Sequence, residues 1–381
     1  MRKKLRLGVV VILSVLLLLI VSAWVWIDLL LPRLAWISFI GGERTIRTST
    51  LPLSLKWTWN SADSIFKPPR VNGQIALVQT GADLVALDSL SGQELWRVPT
   101  GCSLPLLLAS KKDVVVFASA GCSELMAVSA KEGRTLWRFT PTLSGASHLR
   151  SIWISGDKLI VATTPSPTEI KAYRLLDGTP LWKSDATLPG SGLGLIIPSD
   201  RELDIFIGAE IDILDTETGT LREQLKQPAG ILRLSGDRGF FSYEGGVQAV
   251  DWRTDQEIWR FDLSCARIQR SFPIFSLSDS RAYAEACQKL YALDPETGQL
   301  LWQRGSNSRP VADVVTIGDT GYVMSGDGSI IAFEVDSGKD EGILQTTPAI
   351  LGPGSGDKGL STDGNRLFAT FGDNKIYAFG K

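Results

Sequence analysis

Four cysteines and one histidine are the residues of this chain whose side chains most readily do chemistry. The cysteines are Cys102, Cys122, Cys265 and Cys287, and the histidine is His148. Four thiols permit two disulfides, four free buried thiols or one tetrahedral zinc site. A single histidine argues against a histidine-rich metal centre or a Ser–His–Asp hydrolase, and its polar surroundings, residues 144–151, are typical of a loop.

Two glycine clusters resemble phosphate-binding loops, at residues 190–194 and 352–356. Neither begins a helix, so the helix N-terminus that would hold a phosphate is missing. The pairs Asp327-Gly328 and Asp363-Gly364 resemble fragments of calcium loops, but no full ligand set follows them. We interpret all four segments as loops or turns, and we predict no catalytic, cofactor-binding or metal-binding residue.

The chain contains a unit that repeats about every 42 residues, and the cysteines and the histidine lie between copies of it. Each unit has a β-rich run, Ala, an aliphatic residue, usually Asp, a short turn ending in Gly, and Leu-Trp. Successive units are 36 to 46 residues apart, which is the length of four short strands with their turns. Such a period predicts an all-β, eight-bladed β-propeller. The units are Leu84–Trp96, Leu125–Trp137, Ile170–Trp182, Ile211–Glu223, Val247–Trp259, Leu290–Trp302, Ile330–Gly342 and Ile376–Lys381.

The turn of the unit has a physical explanation. Asp88, Asp215 and Asp294 are placed to accept a hydrogen bond from a backbone N–H two residues later, and the glycine supplies a positive φ. The last unit ends after one strand, so its blade lacks an outer strand. Leu55–Trp59 resembles an isolated Leu-Trp strand, and we predict that it completes the eighth blade. The alternative is a seven-bladed ring with residues 54–60 as a loose lead-in.

The unit resembles the repeat of the PQQ-like, or quinoprotein alcohol dehydrogenase-like, propellers, and the resemblance covers about residues 55–381. It implies that the Ala and the Trp ten residues later are structural, with the Trp docked between blades. Units four and seven have Glu223 and Gly342 in place of Trp, which predicts two less tightly packed junctions. The pairs that keep the spacing are Ala86 and Trp96, Ala127 and Trp137, Ala172 and Trp182, Ala249 and Trp259, and Ala292 and Trp302.

The same resemblance leaves the function open, because one fold serves many functions. The quinoprotein dehydrogenases carry an adjacent Cys-Cys pair and Ca²⁺ ligands near the quinone, and this chain has no adjacent cysteines and no CxxCH haem motif. The non-catalytic BamB-type members are similar in size and blade count. We therefore expect no cofactor and a protein- or peptide-binding scaffold. The alternative is an oxidoreductase that binds PQQ in the central funnel.

The cysteines occupy equivalent places in two units. Cys102 and Cys265 follow the Trp by six residues, while Cys122 and Cys287 precede the Asp position of the next unit by seven. These places correspond to the start of an innermost strand and the end of its antiparallel neighbour, which lie side by side. We predict the disulfides Cys102–Cys122 and Cys265–Cys287. A shared zinc site would require pairs four units apart to converge.

The pattern of basic and apolar residues at the N-terminus predicts a membrane anchor. Leu7–Ile27 is an uncharged run of 21 residues, preceded by Arg2, Lys3, Lys4 and Arg6. Its length spans a hydrocarbon core, and the positive charges place residues 1–6 in the cytoplasm as a short stub. Residues 28–54 then form a juxtamembrane tether, and the propeller, residues 55–381, lies on the extracytoplasmic side of the cell membrane. A cleaved signal peptide is the alternative.

Charge argues against one class of partner. Residues 48–381 hold 32 basic and 39 acidic side chains, a net charge of −7. An acidic body repels nucleic acid phosphates, so we expect no nucleic acid partner. The expected contacts are the membrane, through the N-terminal helix, and a protein or peptide.

Overall fold

The computed structural model describes most of the predicted propeller. The described residues are 46–101, 106–119, 124–141, 148–164, 169–184, 193–198, 202–207, 210–226, 231–235, 237–263, 265–266, 273–278, 280–305, 314–346 and 358–381. Within them, 33 strands form eight antiparallel sheets, which confirms the predicted all-β fold. The predicted span Leu7–Ile27 lies outside these ranges, and no helix inside them has the length and apolar character needed to cross a membrane.

Each sheet corresponds to one repeat unit, and we call the sheets blades 1 to 8 in the order of the units. Two N-terminal strands, β1 (Ile46–Ser49) and β2 (Ser54–Asn60), precede blade 1. The strands of blades 1 to 4 are β3 (Arg70–Asn72), β4 (Ile75–Gln79), β5 (Asp83–Asp88), β6 (Glu94–Pro99), β7 (Leu106–Lys111), β8 (Val114–Ser119), β9 (Leu125–Ser129), β10 (Thr135–Phe139), β11 (His148–Ser155), β12 (Lys158–Thr164), β13 (Ile170–Arg174), β14 (Pro180–Lys183), β15 (Leu193–Pro198), β16 (Glu202–Ile207), β17 (Glu210–Asp215) and β18 (Leu221–Lys226).

The remaining strands complete blades 5 to 8 in the same order along the chain. They are β19 (Ile231–Ser235), β20 (Arg238–Tyr243), β21 (Gly246–Asp251), β22 (Gln256–Asp262), β23 (Ile274–Leu277), β24 (Ala282–Ala286), β25 (Lys289–Leu293), β26 (Leu300–Gly305), β27 (Val315–Ile317), β28 (Thr320–Met324), β29 (Ile330–Glu334), β30 (Asp340–Thr346), β31 (Lys358–Thr362), β32 (Leu367–Phe371) and β33 (Lys375–Gly380). The first strands of neighbouring blades contact each other, as β7 and β11 do, so these strands lie innermost.

The predicted turn chemistry is present in the outer hairpins. The carboxylates of Asp88, Asp215 and Asp294 each accept a hydrogen bond from the backbone N–H two residues later, at 3.1, 2.8 and 2.9 Å. The N–H of Gly92, at φ +71°, closes the first of these turns on the Asp88 carbonyl at 2.8 Å. The Asp and Gly of the repeat therefore set the hairpin that presents the outer strand.

The N-terminal strand β2 completes blade 8, as predicted for Leu55–Trp59. It pairs antiparallel with β33, and Trp57 lies opposite Ala378. This is a sixth Ala and Trp pair, which the repeat spacing did not reveal because its two members lie at opposite ends of the chain. Blade 8 thus carries the same outer strand as the other blades and reaches blade 1, where the Trp57 indole N–H donates to the Ser89 carbonyl at 3.2 Å.

At six junctions of the described residues, an outer-strand tryptophan donates its indole N–H to a carbonyl of the next blade. Trp96 is 8% exposed, lies opposite Ala86 and donates its indole N–H to the Ala130 carbonyl of blade 2 at 2.7 Å. Because opposed residues of an antiparallel pair face the same side, the small Ala leaves room for the indole. The remaining bonds run from Trp57 to Ser89, Trp137 to Leu175, Trp182 to Thr216, Trp259 to Pro295 and Trp302 to Val335.

The glycine of each outer hairpin is needed for this docking as well as for its own turn. Gly133 has φ +67°, and a Cβ there would lie 2.6 Å from the Trp96 indole. A side chain at this position would therefore displace the tryptophan of the preceding blade. The glycine and the tryptophan of neighbouring units form one contact.

The junction between blades 4 and 5, where Glu223 replaces Trp, is filled from the opposite side. Trp252, in the β21–β22 hairpin of blade 5, is 2% exposed and packs with Ile211 and Leu225 of blade 4. The hairpin glycine is replaced by Asp255, at φ +57°, because no indole from blade 4 presses on that position. This junction thus contains an indole, which comes from the next blade along the chain rather than from blade 4.

The junction between blades 7 and 8, where Gly342 replaces Trp, is filled by the N-terminal segment. Strand β1 pairs with β30 as a fifth strand of blade 7, and a Cβ on Gly342 would lie 2.1 Å from the Thr50 carbonyl oxygen. Leu53, 4% exposed, packs with Leu344 and Phe371 in the shared core of the two blades. Residues 46–54 of the predicted tether are thus part of the folded body, because the missing indole leaves space for them.

Candidate partner-binding site

A groove of about 650 Å³ opens on the outer side of the junction between blades 2 and 3. We call it the rim groove. One wall is strand β10, with Trp137 and Phe139, and the other is the β13–β14 hairpin, with Tyr173, Pro180 and Leu181. Its volume lies within the range of about 300–1,000 Å³ that is common for ligand sites.

Aromatic side chains form the floor of the rim groove. The Phe139 ring lies 5.4 Å from the Trp137 ring and 4.8 Å from the Tyr173 ring, between ring centroids. A Cβ on Gly178, at φ +72°, would lie 2.9 Å from Phe139, so this glycine lets the hairpin close on the aromatic floor. Burial raises the pKa of Tyr173 to about 12, and Glu169 adds to the shift, so the phenol stays neutral at physiological pH.

A buried carboxylate fixes the hairpin wall. The Glu169 side chain is 10% exposed and forms ion pairs with Lys171 at 2.8 Å and Lys183 at 2.7 Å. Lys171 lies on β13 and Lys183 on β14, so the two pairs connect both strands of the hairpin. The two ammonium groups offset part of the cost of burying this carboxylate, and the ion pairs link the two strands of the wall.

Strand β10 also offers a sheet edge beside the groove. It is the last strand in the order of blade 2, and no strand of the described residues pairs with its outer edge. The equivalent edge of blade 7 accepts β1, where Thr48 lies opposite Gln345, Ser49 lies opposite Leu344, and the Thr50 N–H donates to the Ile343 carbonyl at 2.9 Å. The blades of this protein can therefore take a fifth strand on the outer edge.

The cysteines fall into two groups. The structure contains the predicted disulfide between Cys265 and Cys287, with Cα atoms 6.2 Å apart. Cys287 follows β24 as expected, but Cys265 lies nine residues before β23 rather than at its start. The disulfide thus ties the segment that enters blade 6 to the β24–β25 turn. Cys102 and Cys122 lie outside the described residues.

Among the described residues, the other chemistry-bearing candidates do not come together in one site, and residues 190–192 and 352–356 of the two glycine clusters lie outside the described residues. His148 is the first residue of β11. The polar residues around it predicted a loop, and that prediction was wrong at this position. In the described ranges, no three His, Cys, Asp or Glu side chains are grouped closely enough to hold a metal ion. The rim groove itself offers aromatic and apolar side chains beside the outer edge of β10.

Comparison with known proteins identifies the family. A family model described as "Outer membrane protein assembly factor BamB" matches residues 54–230 and 243–380. The chain belongs to the BamB-type family of PQQ-like propellers. The resemblance predicted from the repeat is thus confirmed.

Individual BamB-type proteins are distant in sequence. The protein called outer membrane protein assembly factor BamB in Shewanella oneidensis (strain MR-1) is 22% identical over 89% of each chain. Its namesake in Nitrosomonas eutropha (strain C91) is 23% identical, and that match spans 56% of each chain, little more than half of the relative's length. The crystal structure of BamB from Moraxella catarrhalis covers 86% of this chain and all of that one, with 18% identity and a TM-score of 0.59.

Proposed function

We propose that this protein is a membrane-anchored, extracytoplasmic propeller of eight blades that binds an extended segment of a protein partner at the rim groove. It acts as a scaffold without catalysis. The observation that carries the proposal is the strand β1, which shows the backbone pairing that an added segment would make on an outer edge. The names of the BamB-type relatives, which are assembly factors, support a role in handling other proteins.

The anchor and its location rest on further observations. Leu7–Ile27 has the length and composition of a membrane span, and the basic residues before it favour an exported body. The disulfide Cys265–Cys287 suits an oxidising compartment. Since β1 lies on blade 7, the anchor would reach the ring at the junction of blades 7 and 8. The rim groove lies three junctions away from that point, between blades 2 and 3.

A photo-cross-linking experiment tests the partner site. A photoreactive phenylalanine analogue is placed at Leu181, which is 38% exposed and lines the rim groove, in the full chain in its native membrane. The matched control position is Leu301, which is 40% exposed and precedes Trp302 as Leu181 precedes Trp182. We expect a discrete cross-linked partner from position 181 and none from position 301.

Two further variants sharpen the result. With the photoreactive residue moved to Thr179, which is exposed and also lines the rim groove, Leu181→Asp places a charge at the apolar lip and should weaken the cross-linked complex at least tenfold, whereas Leu301→Asp should leave it unchanged. Equal cross-linking from both positions, or a complex that is insensitive to Leu181→Asp, would exclude the rim groove as the binding site.

The anchor is tested separately by fractionation. The full chain should remain with membranes after alkaline carbonate washing, and a variant that lacks Leu7–Ile27 should be released. A protease added to the outer side should reach the propeller. Release of the intact full-length chain by carbonate would contradict the anchor and would leave the rim-groove test unaffected.

A further inference from the structure

A second cavity, of about 600 Å³, lies where the inner strands of blades 8, 1, 2 and 3 meet. We call it the inner cavity. Its wall includes residues 67–71, Ile152 and Trp153 of β11, and Leu360 and Ser361 of β31. It shares no lining residue with the rim groove, so the two sites can be tested independently.

Close packing shapes the inner cavity. A Cβ on Gly359 of β31 would lie 2.6 Å from the Pro68 ring, so this glycine allows the proline segment to pack tightly against blade 8. Arg70 of β3 donates to the Leu108 carbonyl of blade 2, and Asn72 donates to the Lys112 carbonyl at 2.9 Å. The cavity is therefore bounded by segments that are fixed to each other.

The charges of the inner cavity have one sign. Lys67 and Arg70 line it, and no acidic residue is among its described lining residues. The described contact of the Arg70 side chain is with the Leu108 carbonyl, and a guanidinium carries five N–H donors, so donors remain for a further acceptor. Two cations, with no acidic side chain among the described lining residues, favour an anion.

The remaining wall combines apolar surface with one unsatisfied polar atom. Trp153 is half-buried and Ile152 is buried, and prolines 68 and 69 continue this surface. The Ser361 hydroxyl oxygen is buried and has no hydrogen-bond partner in the described part of the chain. A buried hydroxyl without a partner is costly, and a ligand atom that accepts a hydrogen bond from it would remove that cost.

We propose that the inner cavity binds an organic anion, a carboxylate or phosphate group carried on an apolar body. Lys67 and Arg70 hold the anionic group, Ser361 donates a further hydrogen bond, and the apolar body packs on Trp153 and Ile152. The site goes beyond the partner binding at the rim, and it requires neither a metal ion nor a redox group.

Calorimetric titration of the full chain in lipid nanodiscs tests this proposal with four probes that share one apolar body. They are 3-phenylpropionate, 3-phenylpropyl phosphate, 3-phenylpropylamine and 3-phenylpropan-1-ol. Both anions should bind at least about tenfold more tightly than the amine, because the free energy of a hydrogen bond to a charged group corresponds to about a tenfold or larger change in affinity. The ranking of carboxylate against phosphate identifies which anion the cavity prefers.

Matched variants assign the binding to the cavity. Lys67→Gln with Arg70→Gln should lower the affinity for both anions at least about tenfold and leave that for the alcohol unchanged. The control is Lys131→Gln with Arg134→Gln, which removes the same charge from the exposed β9–β10 hairpin and should change nothing. Trp153→Ala should weaken the anions and the alcohol alike.

Other results would overturn the proposal. They are equal affinity for the anions and the amine, no binding of either anion, or equal behaviour of the cavity and control variants. Lys67→Gln alone serves as a second variant, because it retains the contact of Arg70 with Leu108 and should fold normally. It should still lower the affinity for the anions.

Discussion

At the scale of the residue, the tryptophan of one unit and the hairpin glycine of the next form a single contact. The tryptophan of one blade fits against the hairpin of the next only where that hairpin has a glycine, as Gly133 shows for Trp96. Where the tryptophan is replaced by Glu223, the glycine is replaced by Asp255. Blade 4 supplies no outer-strand indole at that junction, so the close approach that excludes a Cβ at Gly133 is absent there.

Substitution of Gly133 should show this coupling. Gly133→Ala combines a positive φ with a clash against Trp96, and we expect a loss of about 3 kcal/mol in the free energy of unfolding. Gly156→Ala is the control, because Gly156 has φ +56° with no atom near a Cβ, and it should cost about 1 kcal/mol. Urea unfolding followed by circular dichroism measures both.

A double variant completes that experiment. In a Trp96→Ala background the clash is absent, so Gly133→Ala should cost only about 1 kcal/mol, as Gly156→Ala does. Equal costs of Gly133→Ala in both backgrounds would show that the glycine serves the turn alone.

The carboxylates of the turn aspartates should make the free energy of unfolding depend on pH. Backbone N–H groups hold the pKa of Asp215, Asp251 and Asp294 below the ordinary range. Groups with a lowered folded pKa stabilise the protein above the unfolded value of about 3.9, and this contribution is lost as pH falls through the folded pKa. The urea midpoint should therefore be flat from about pH 7 to pH 5 and fall below about pH 4.

Replacement of the three aspartates separates their contribution from that of other acids. The triple Asn variant should lose less stability than the natural chain between pH 6 and pH 3. Asp113→Asn, in the β7–β8 turn, is the control and should follow the natural chain. Identical pH profiles for the triple variant and the natural chain would contradict the role of the turn carboxylates.

At the scale of the element, the N-terminal segment from β1 to β2 completes two blades. Strand β2 supplies the outer strand of blade 8, and β1 with Leu53 replaces the tryptophan missing from blade 7. An open sheet edge and an underfilled junction are both unfavourable, and one segment removes both.

Two leucines of this segment provide a matched pair. Leu53→Ala removes a side chain that is 4% exposed, and we expect a loss of about 2–4 kcal/mol in the free energy of unfolding. Leu55→Ala removes one that is 45% exposed, and it should cost less than about 0.5 kcal/mol. Urea unfolding measures both, and equal effects would show that the junction of blades 7 and 8 does not depend on Leu53.

At the scale of the whole molecule, the two ends of the chain meet in one sheet. The pairing of β2 with β33 and the contact of Trp57 with Ser89 join blade 8 to blade 1. Contacts of this kind, between residues far apart in sequence, make the fold cooperative, since the loss of one blade exposes the cores of both neighbours.

Removal of the N-terminal strands should therefore affect the entire ring. A chain that begins at Ser61 should lose cooperative unfolding, and a synthetic peptide of residues 46–60 should restore it by strand addition. The same peptide with Trp57→Ala should restore it less well, because it lacks the bond to Ser89. Differential scanning calorimetry measures the transition, and a cooperative transition without any peptide would contradict closure by β2.

The sequence alone determined the repeat, and with it the all-β class and the hairpin turns. These are local properties, set by residues within one unit. Tertiary structure decided what fills the two irregular junctions, because Trp252 and Leu53 become neighbours of those gaps only when blades pack side by side. It also decided the rim groove and the inner cavity, whose walls come from separate blades and leave no spacing in the sequence to detect.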